Sequence, residues 1–171
     1  MLFRSCRSVS NFASAHDTDK TITIDKFVDE NNKEINLNGD MCWNFHCWNE
    51  IFVEGKGHWP EEYAGWAVID STPQERSNNR FQCGPAPLKA IKQGHVYIGY
   101  DTGFVFSEVN GDRVTWICKK RGSYWNIEKM GSRRTRSVGY NISTKKMGSP
   151  YRHVLDNDYK YPEGIEIIDY N

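Results

Sequence analysis

Two runs of residues carry the side chains best suited to chemistry: Trp43-Asn44-Phe45-His46-Cys47-Trp48-Asn49-Glu50 and Gly65-Trp66-Ala67-Val68-Ile69-Asp70. Between them lies Glu54-Gly55-Lys56-Gly57-His58-Trp59-Pro60, whose glycines and closing proline are loop chemistry. If the runs pair antiparallel, a connection centred near His58 puts His46 opposite Asp70. Facing residues have Cβ atoms roughly 4.5–5.5 Å apart, within reach of a bond from an imidazole N–H to a carboxylate. A histidine held by an aspartate is the general-base half of a catalytic triad. The carboxylate fixes the tautomer and stabilises the imidazolium, while the free ring nitrogen handles a nucleophile's proton. The same spacing also fits a strand histidine with a satisfied hydrogen bond and an aspartate opening the Ser71-Thr72-Pro73 turn. Spacing alone does not choose.

Metal chemistry has two candidate stretches. Cys42, His46 and Cys47 suggest zinc, but alternation puts Cys47 on the other strand face, and no second ligand pair follows at the usual spacing. His16-Asp17-Thr18-Asp19-Lys20-Thr21-Ile22-Thr23 is better, with oxygen side chains at alternate positions as a hard cation such as calcium requires. It is not an EF-hand, because that loop's glycine would fall at Ile22 and its closing glutamate at Val28. A polar turn fits the stretch as well as a calcium loop does. Asn110 and Asp112 have a plain reading as hairpin-turn residues.

The elements that must position these groups are mostly strands. The pattern predicts strands over Arg7 to Phe12, Cys42 to Val53, Gly65 to Ile69, His95 to Tyr100, Phe104 to Val109 and Arg113 to Cys118. Tyr124 to Ile127 and Val138 to Ser143 are weaker strands. Asn110-Gly111 predicts a tight hairpin between two of these runs. The best helix is Pro85 to Gln93, with proline near its first turn and Gly94 placed to stop it. The expected class is therefore α+β, a mostly antiparallel sheet with one or two short helices. Both ends, at Arg7 and after Tyr161-Pro162-Glu163-Gly164, lack the look of a capped domain boundary. That makes the 171 residues an expected part of a larger unit.

Composition narrows the functional classes. The 171 residues are 38% hydrophobic and 13% aromatic, enough for a packed core and biased toward strands. Charge balances at 22 basic against 22 acidic residues, which leaves no electrostatic footprint for nucleic acid. The one basic run, Arg133-Arg134-Thr135-Arg136, reads as a solvated loop. No apolar run reaches membrane-span length, and Met1 to Arg7 holds no secretory signal. Five cysteines without a regular framework fit a reducing compartment or export without a leader.

Taken together, the motifs resemble the calcium-dependent transglutaminases from about Arg7 to Gly164. The resemblance rests on Asn11-Phe12-Ala13-Ser14-Ala15-His16-Asp17-Thr18-Asp19, Trp43-Asn44-Phe45-His46-Cys47-Trp48 and Asp70-Ser71-Thr72-Pro73-Gln74-Glu75-Arg76-Ser77. It continues through Gln82-Cys83-Gly84-Pro85, Phe106-Ser107-Glu108-Val109-Asn110-Gly111-Asp112, Asn141-Ile142-Ser143-Thr144-Lys145 and Tyr159-Lys160-Tyr161-Pro162-Glu163-Gly164. These strings occur in the family's order and at its spacing.

The resemblance implies the His/Asp-bearing half of a papain-like core that joins protein glutamine to protein lysine or a small amine through a cysteine thioester. It implies His46 as general base, Asp70 as its orienter and Trp43 as a wall of the amine tunnel. It implies Ca²⁺ at Asp17, Asp19, Thr21, Thr23 and Asp40, and a second Ca²⁺ at Asn110, Asp112 and Glu163. The family often has asparagine where Thr21 stands, and an acidic residue where Ile168 stands, with Glu166 as a substitute. The family's Gly-Gln-Cys-Trp nucleophile motif does not occur in these residues, and Cys6 lacks its flanking residues. The N-terminal β-sandwich and C-terminal barrels are likewise not matched. The chain is thus expected to be a partial catalytic core over residues 1–171, inactive as it stands, and cytoplasmic or leaderless-extracellular. A non-enzymatic scaffold of the same fold and a papain-like thiol hydrolase are the rival readings.

Overall fold

In the computed structural model, residues 5–57, 59–72, 76, 77, 79–81 and 83–162 are described. The elements run β1 (Cys6–His16), β2 (Thr23–Val28), β3 (Glu34–Ile35), β4 (Met41–Val53), a 3₁₀ turn (Glu61–Tyr63) and β5 (Gly65–Asp70). Then come β6 (Arg76–Ser77), β7 (Arg80–Phe81), β8 (Cys83–Pro87), α1 (Leu88–Gln93) and α2 (Thr102–Asn110). The chain continues through β9 (Asp112–Arg121), β10 (Tyr124–Arg134), β11 (Tyr140–Lys145), β12 (Arg152–Val154) and α3 (Asp156–Tyr159). A six-stranded sheet has the order β12-β11-β1-β4-β5-β8, and a four-stranded sheet the order β10-β9-β2-β3. Of the described strand pairs only β2 with β9 is parallel. The α+β, mostly antiparallel class is as expected from the sequence.

Alternation along β4 does the positioning. His46, Trp48 and Glu50 are buried on one face, while Phe45, Cys47 and Asn49 are exposed on the other. The buried face carries the three helices. Val9, Trp48, Val68 and Ile142 from the sheet pack with Leu88 and Ile91 of α1, Val105 and Val109 of α2, and Tyr159 of α3. On the opposite face Phe12 sits directly between Phe45 and Tyr140, and all three rings are exposed.

Three local expectations are corrected. Phe104 to Val109 is not a strand but the body of α2, and Asn110-Gly111 ends that helix rather than turning a hairpin. Short apolar runs fit both periods. Here the i, i+4 pair Val105 and Val109 finds a core to bury against, and the helical period wins. His95 to Tyr100 is a run of turns, bonded locally through His95 N to Ala90 O (3.0 Å) and Ile98 N to His95 O (3.3 Å). It leads into Tyr100 and Asp101, at φ 65° and 59°, two consecutive left-handed residues that break an extended run. The helix expected from Pro85 begins at Leu88, because Pro85 and Pro87 belong to β8. Gly94 stops it as expected, at φ 71°. Arg133 and Arg134 close β10 rather than forming a loop.

Candidate active site

The pairing of β4 with β5 sets Asn49 against Ile69 and Ile51 against Ala67. That register is two residues from the one expected, so His46 and Asp70 are diagonal neighbours rather than facing ones. A shift of two keeps both on the same face. His46 Nε2 lies 2.5 Å from Asp70 Oδ2, and both residues are buried. Asp70 Oδ1 accepts the Thr72 N–H at 2.9 Å. Burial acts to raise the Asp70 carboxyl, but the bonds from His46 and Thr72 outweigh it and hold it below its ordinary value. An ionised Asp70 keeps the proton on Nε2 and leaves Nδ1 with a lone pair. The imidazole has Trp43 (ring centroids 4.8 Å, planes tilted by 48°) and Trp48 (5.6 Å, 34°) as ring neighbours, and Trp43 also meets His16 edge-on at 5.5 Å.

Glu108 joins this pair, which the sequence did not indicate. It reaches in from α2, is 1% exposed, and sets Oε1 3.5 Å from His46 Nε2 with no hydrogen-bond partner for that oxygen among the described residues. Burial pushes its carboxyl well above the usual range, and the neighbouring Asp70 charge adds to the effect. The helical period was the missing signal, since Val105, Glu108 and Val109 form one stripe only in a helix.

The second cluster is Asp17, Asp19 and Asp40, whose nearest carboxylate oxygens all lie within 4.8 Å of one another. The backbone N–H groups of Thr21 (3.2 Å) and Ile22 (2.7 Å) and the Ser107 hydroxyl (3.0 Å) hold the Asp17 carboxylate. Asp40 accepts from the Thr18 N–H and hydroxyl and from the Asp25 N–H, so it ties the loop to the segment entering β4. Burial raises the Asp17 carboxyl, opposed by the bonds from Ile22, Ser107 and Thr21. The Thr21 hydroxyl lies 3.0 Å from Asp19 and 3.1 Å from the Thr23 hydroxyl. It also lies 3.3 Å from Asp25, which continues the same alternation and was not foreseen. A set of oxygens dominated by converging carboxylates suits a hard cation such as calcium. Of the other expected ligands, Asn110 donates to Tyr159 O (3.4 Å) at the end of α2, and Asp112 accepts Arg133 Nε at 2.6 Å. Glu163, Glu166 and Ile168 lie outside the described residues.

Cys6 faces Ile51 at the far end of β1, whereas His46 faces Asn11. Five residues of strand separate those rungs by roughly 16 Å, too far for proton transfer.

No protein-family model matches the chain. It is 46% identical over 159 residues to human "Protein-glutamine gamma-glutamyltransferase 4", covering 92% of this chain and 23% of that protein. It is 46% identical over 160 residues to chicken "Protein-glutamine gamma-glutamyltransferase 2", covering 94% of this chain and 22% of that one. The crystal structure of red sea bream transglutaminase superposes with a TM-score of 0.71 at 42% identity, covering 93% of this chain and 23% of that one. The chain thus spans about a quarter of the length of the proteins it matches. Along that shared length, it belongs to the transglutaminase family.

Proposed function

We propose that these residues supply the general-base half of a protein-glutamine γ-glutamyltransferase core. The observation that carries this is the buried His46–Asp70 pair at 2.5 Å. In such a core a cysteine thiolate attacks the glutamine carboxamide, ammonia leaves, and a lysine or small amine resolves the thioester into an isopeptide or amide. His46 takes the thiol proton at Nδ1, gives it to the departing ammonia, and then accepts one from the attacking amine. Asp70 orients the ring and stabilises the imidazolium between transfers. Trp43, whose ring lies against His46, would wall the approach to the thioester and exclude water, which favours aminolysis over hydrolysis. Asp17, Asp19 and Asp40, with Thr21 and Thr23, would hold Ca²⁺. Bound there, the ion would offset carboxylate repulsion, and Asp40 would carry that order into β4 and so to His46. Asn110, Asp112 and Glu163 are proposed to hold a second ion. The proposed partners are protein glutamine and amine donors. No helix among the described residues is long and apolar enough to cross a membrane.

As these 171 residues alone, the chain is on this reading a partial core, in which none of the five cysteines stands in the family's Gly-Gln-Cys-Trp motif. Losing the nucleophile from a triad costs on the order of 10⁶ in rate in comparable systems. Incorporation of a labelled amine into casein by this chain is expected at background, with or without calcium. Calcium-dependent labelling that disappears in Cys6→Ser would overturn that reading and make Cys6 the nucleophile.

A further inference from the structure

Arg113 and Arg134 stand directly opposite one another across β9 and β10. Both line a cavity of about 670 Å³ bounded also by β2 and the segment that enters β4. Like charges facing one another in a ladder repel. Among the described residues neither guanidinium has an ion pair or a side-chain hydrogen bond, while Arg133, on the adjacent rung opposite Val114, pairs with Asp112. Three carboxylates, Asp25, Glu34 and Asp40, line the cavity as well, and so does Lys26, but none of the three pairs with Arg113 or Arg134. Asp25 accepts the Trp116 indole N–H at 2.8 Å, Asp40 is held by Thr18 and the Asp25 N–H, and Glu34 pairs with Lys26 at 2.7 Å.

The neighbouring rung on the same face sets Thr115 against Ser132, and both also line the cavity. Asn38 lines it too, and its Nδ2 is buried with no acceptor among the described residues. Two guanidiniums, two hydroxyls and an unmatched amide donor therefore share one cavity. We propose that this cavity binds a small phosphate monoester, held between Arg113 and Arg134 with the Asn38 amide donating to it. The charge fits, because a phosphate monoester carries about −1.5 to −2 at pH 7 with three strong acceptor oxygens. Guanidinium forks match those oxygens two at a time. A carboxylate brings one charge and would neutralise only one of the pair. The volume falls within the roughly 300–1,000 Å³ of small-molecule sites, leaving room for the ester's organic part.

The test is a titration of the 171-residue chain with O-phosphoserine in calcium-free buffer, followed at the backbone amides of β9 and β10. Saturable shifts centred on Arg113, Thr115, Ser132 and Arg134 are expected, and serine should leave them unmoved. Arg113→Gln and Arg134→Gln should each weaken binding by about tenfold or more, as loss of a charge-assisted bond does. Arg134→Lys should fall between, keeping the charge without the fork. Arg121→Gln, whose guanidinium pairs with Glu128 at 2.9 Å, should bind like the parent. Without ligand, Arg134→Gln should melt above the parent because the repulsion is gone. No saturable shift, an equal loss in Arg121→Gln, or a folded Arg134→Gln that binds undiminished would overturn the proposal.

Discussion

At the scale of single residues, the site is an economy of buried charge. His46 and Asp70 satisfy one another, and burial and the Asp70 charge push the Glu108 carboxyl beside them well above its ordinary value. A carboxyl raised in the folded state binds more protons there than in the unfolded chain. Stability therefore falls as pH rises above the ordinary glutamate value of 4.5, and levels off above the folded value. Glu108→Gln, which keeps a donor without the ionisable proton, should flatten the melting-temperature profile above pH 4.5. It should not flatten it fully, because Glu50 is raised by burial as well. An unchanged slope would mean that Glu108 is already ionised in the fold. Asp70 has the opposite sign: its contribution is present above the ordinary value of 3.8 and is lost as pH falls through its lower folded value. The His46–Asp70 pair was legible because two alternating runs flank one glycine-rich loop, and a register error of two preserves the face. Glu108 was not legible, because its partner residues share a face only once the helix is known.

At the scale of elements, β4 is held from behind. The Trp48 indole N–H donates to the Tyr159 hydroxyl at 2.7 Å, that hydroxyl donates to Glu50, and Arg7 Nε donates to Glu50 at 2.7 Å. These bonds pin β1, β4 and α3 together at a point where Glu50 and Tyr159 are fully buried. Arg7 also stacks over Trp66 at 4.2 Å. Arg7→Ala would leave a buried carboxylate without its cation and should cost about 3–5 kcal/mol in denaturant unfolding. Tyr159→Phe removes the shared hydroxyl and should cost about 1–3 kcal/mol. If Arg7→Ala were neutral, Glu50 would have to be protonated in the fold. The long strands were readable from alternation and aromatic content, and the α1 stop from Gly94. The segment from His95 to Asp101 was not readable, because its turns depend on left-handed backbone at both Tyr100 and Asp101, and a tyrosine carries no such signal by type.

At the scale of the whole molecule, two sheets meet at the acidic loop. Asp17 bonds Ser107 of α2, and Asp40 bonds the first turn of the loop and β2. Calcium bound there should stabilise the chain by RT ln(1 + [Ca²⁺]/Kd), about 2.7 kcal/mol at a hundredfold excess over Kd. Thermal melts with and without calcium should separate for the parent and coincide for Asp17→Ala; coincident parent melts would remove the site. The antiparallel architecture was legible from the sequence. The parallel pairing of β2 with β9 was not, since Thr23–Val28 was not read as a strand. The central claim is that His46 and Asp70 are the base and orienter of a transglutaminase core. Its most direct measurement replaces the matching segment of human protein-glutamine gamma-glutamyltransferase 4 with residues 7–164 of this chain. Labelled-amine incorporation is then followed in the chimaera and its variants. A folded, active chimaera is predicted, falling by about 10⁴ or more in His46→Ala and Asp70→Asn, as triad lesions do. A folded chimaera whose activity survives His46→Ala would contradict the account.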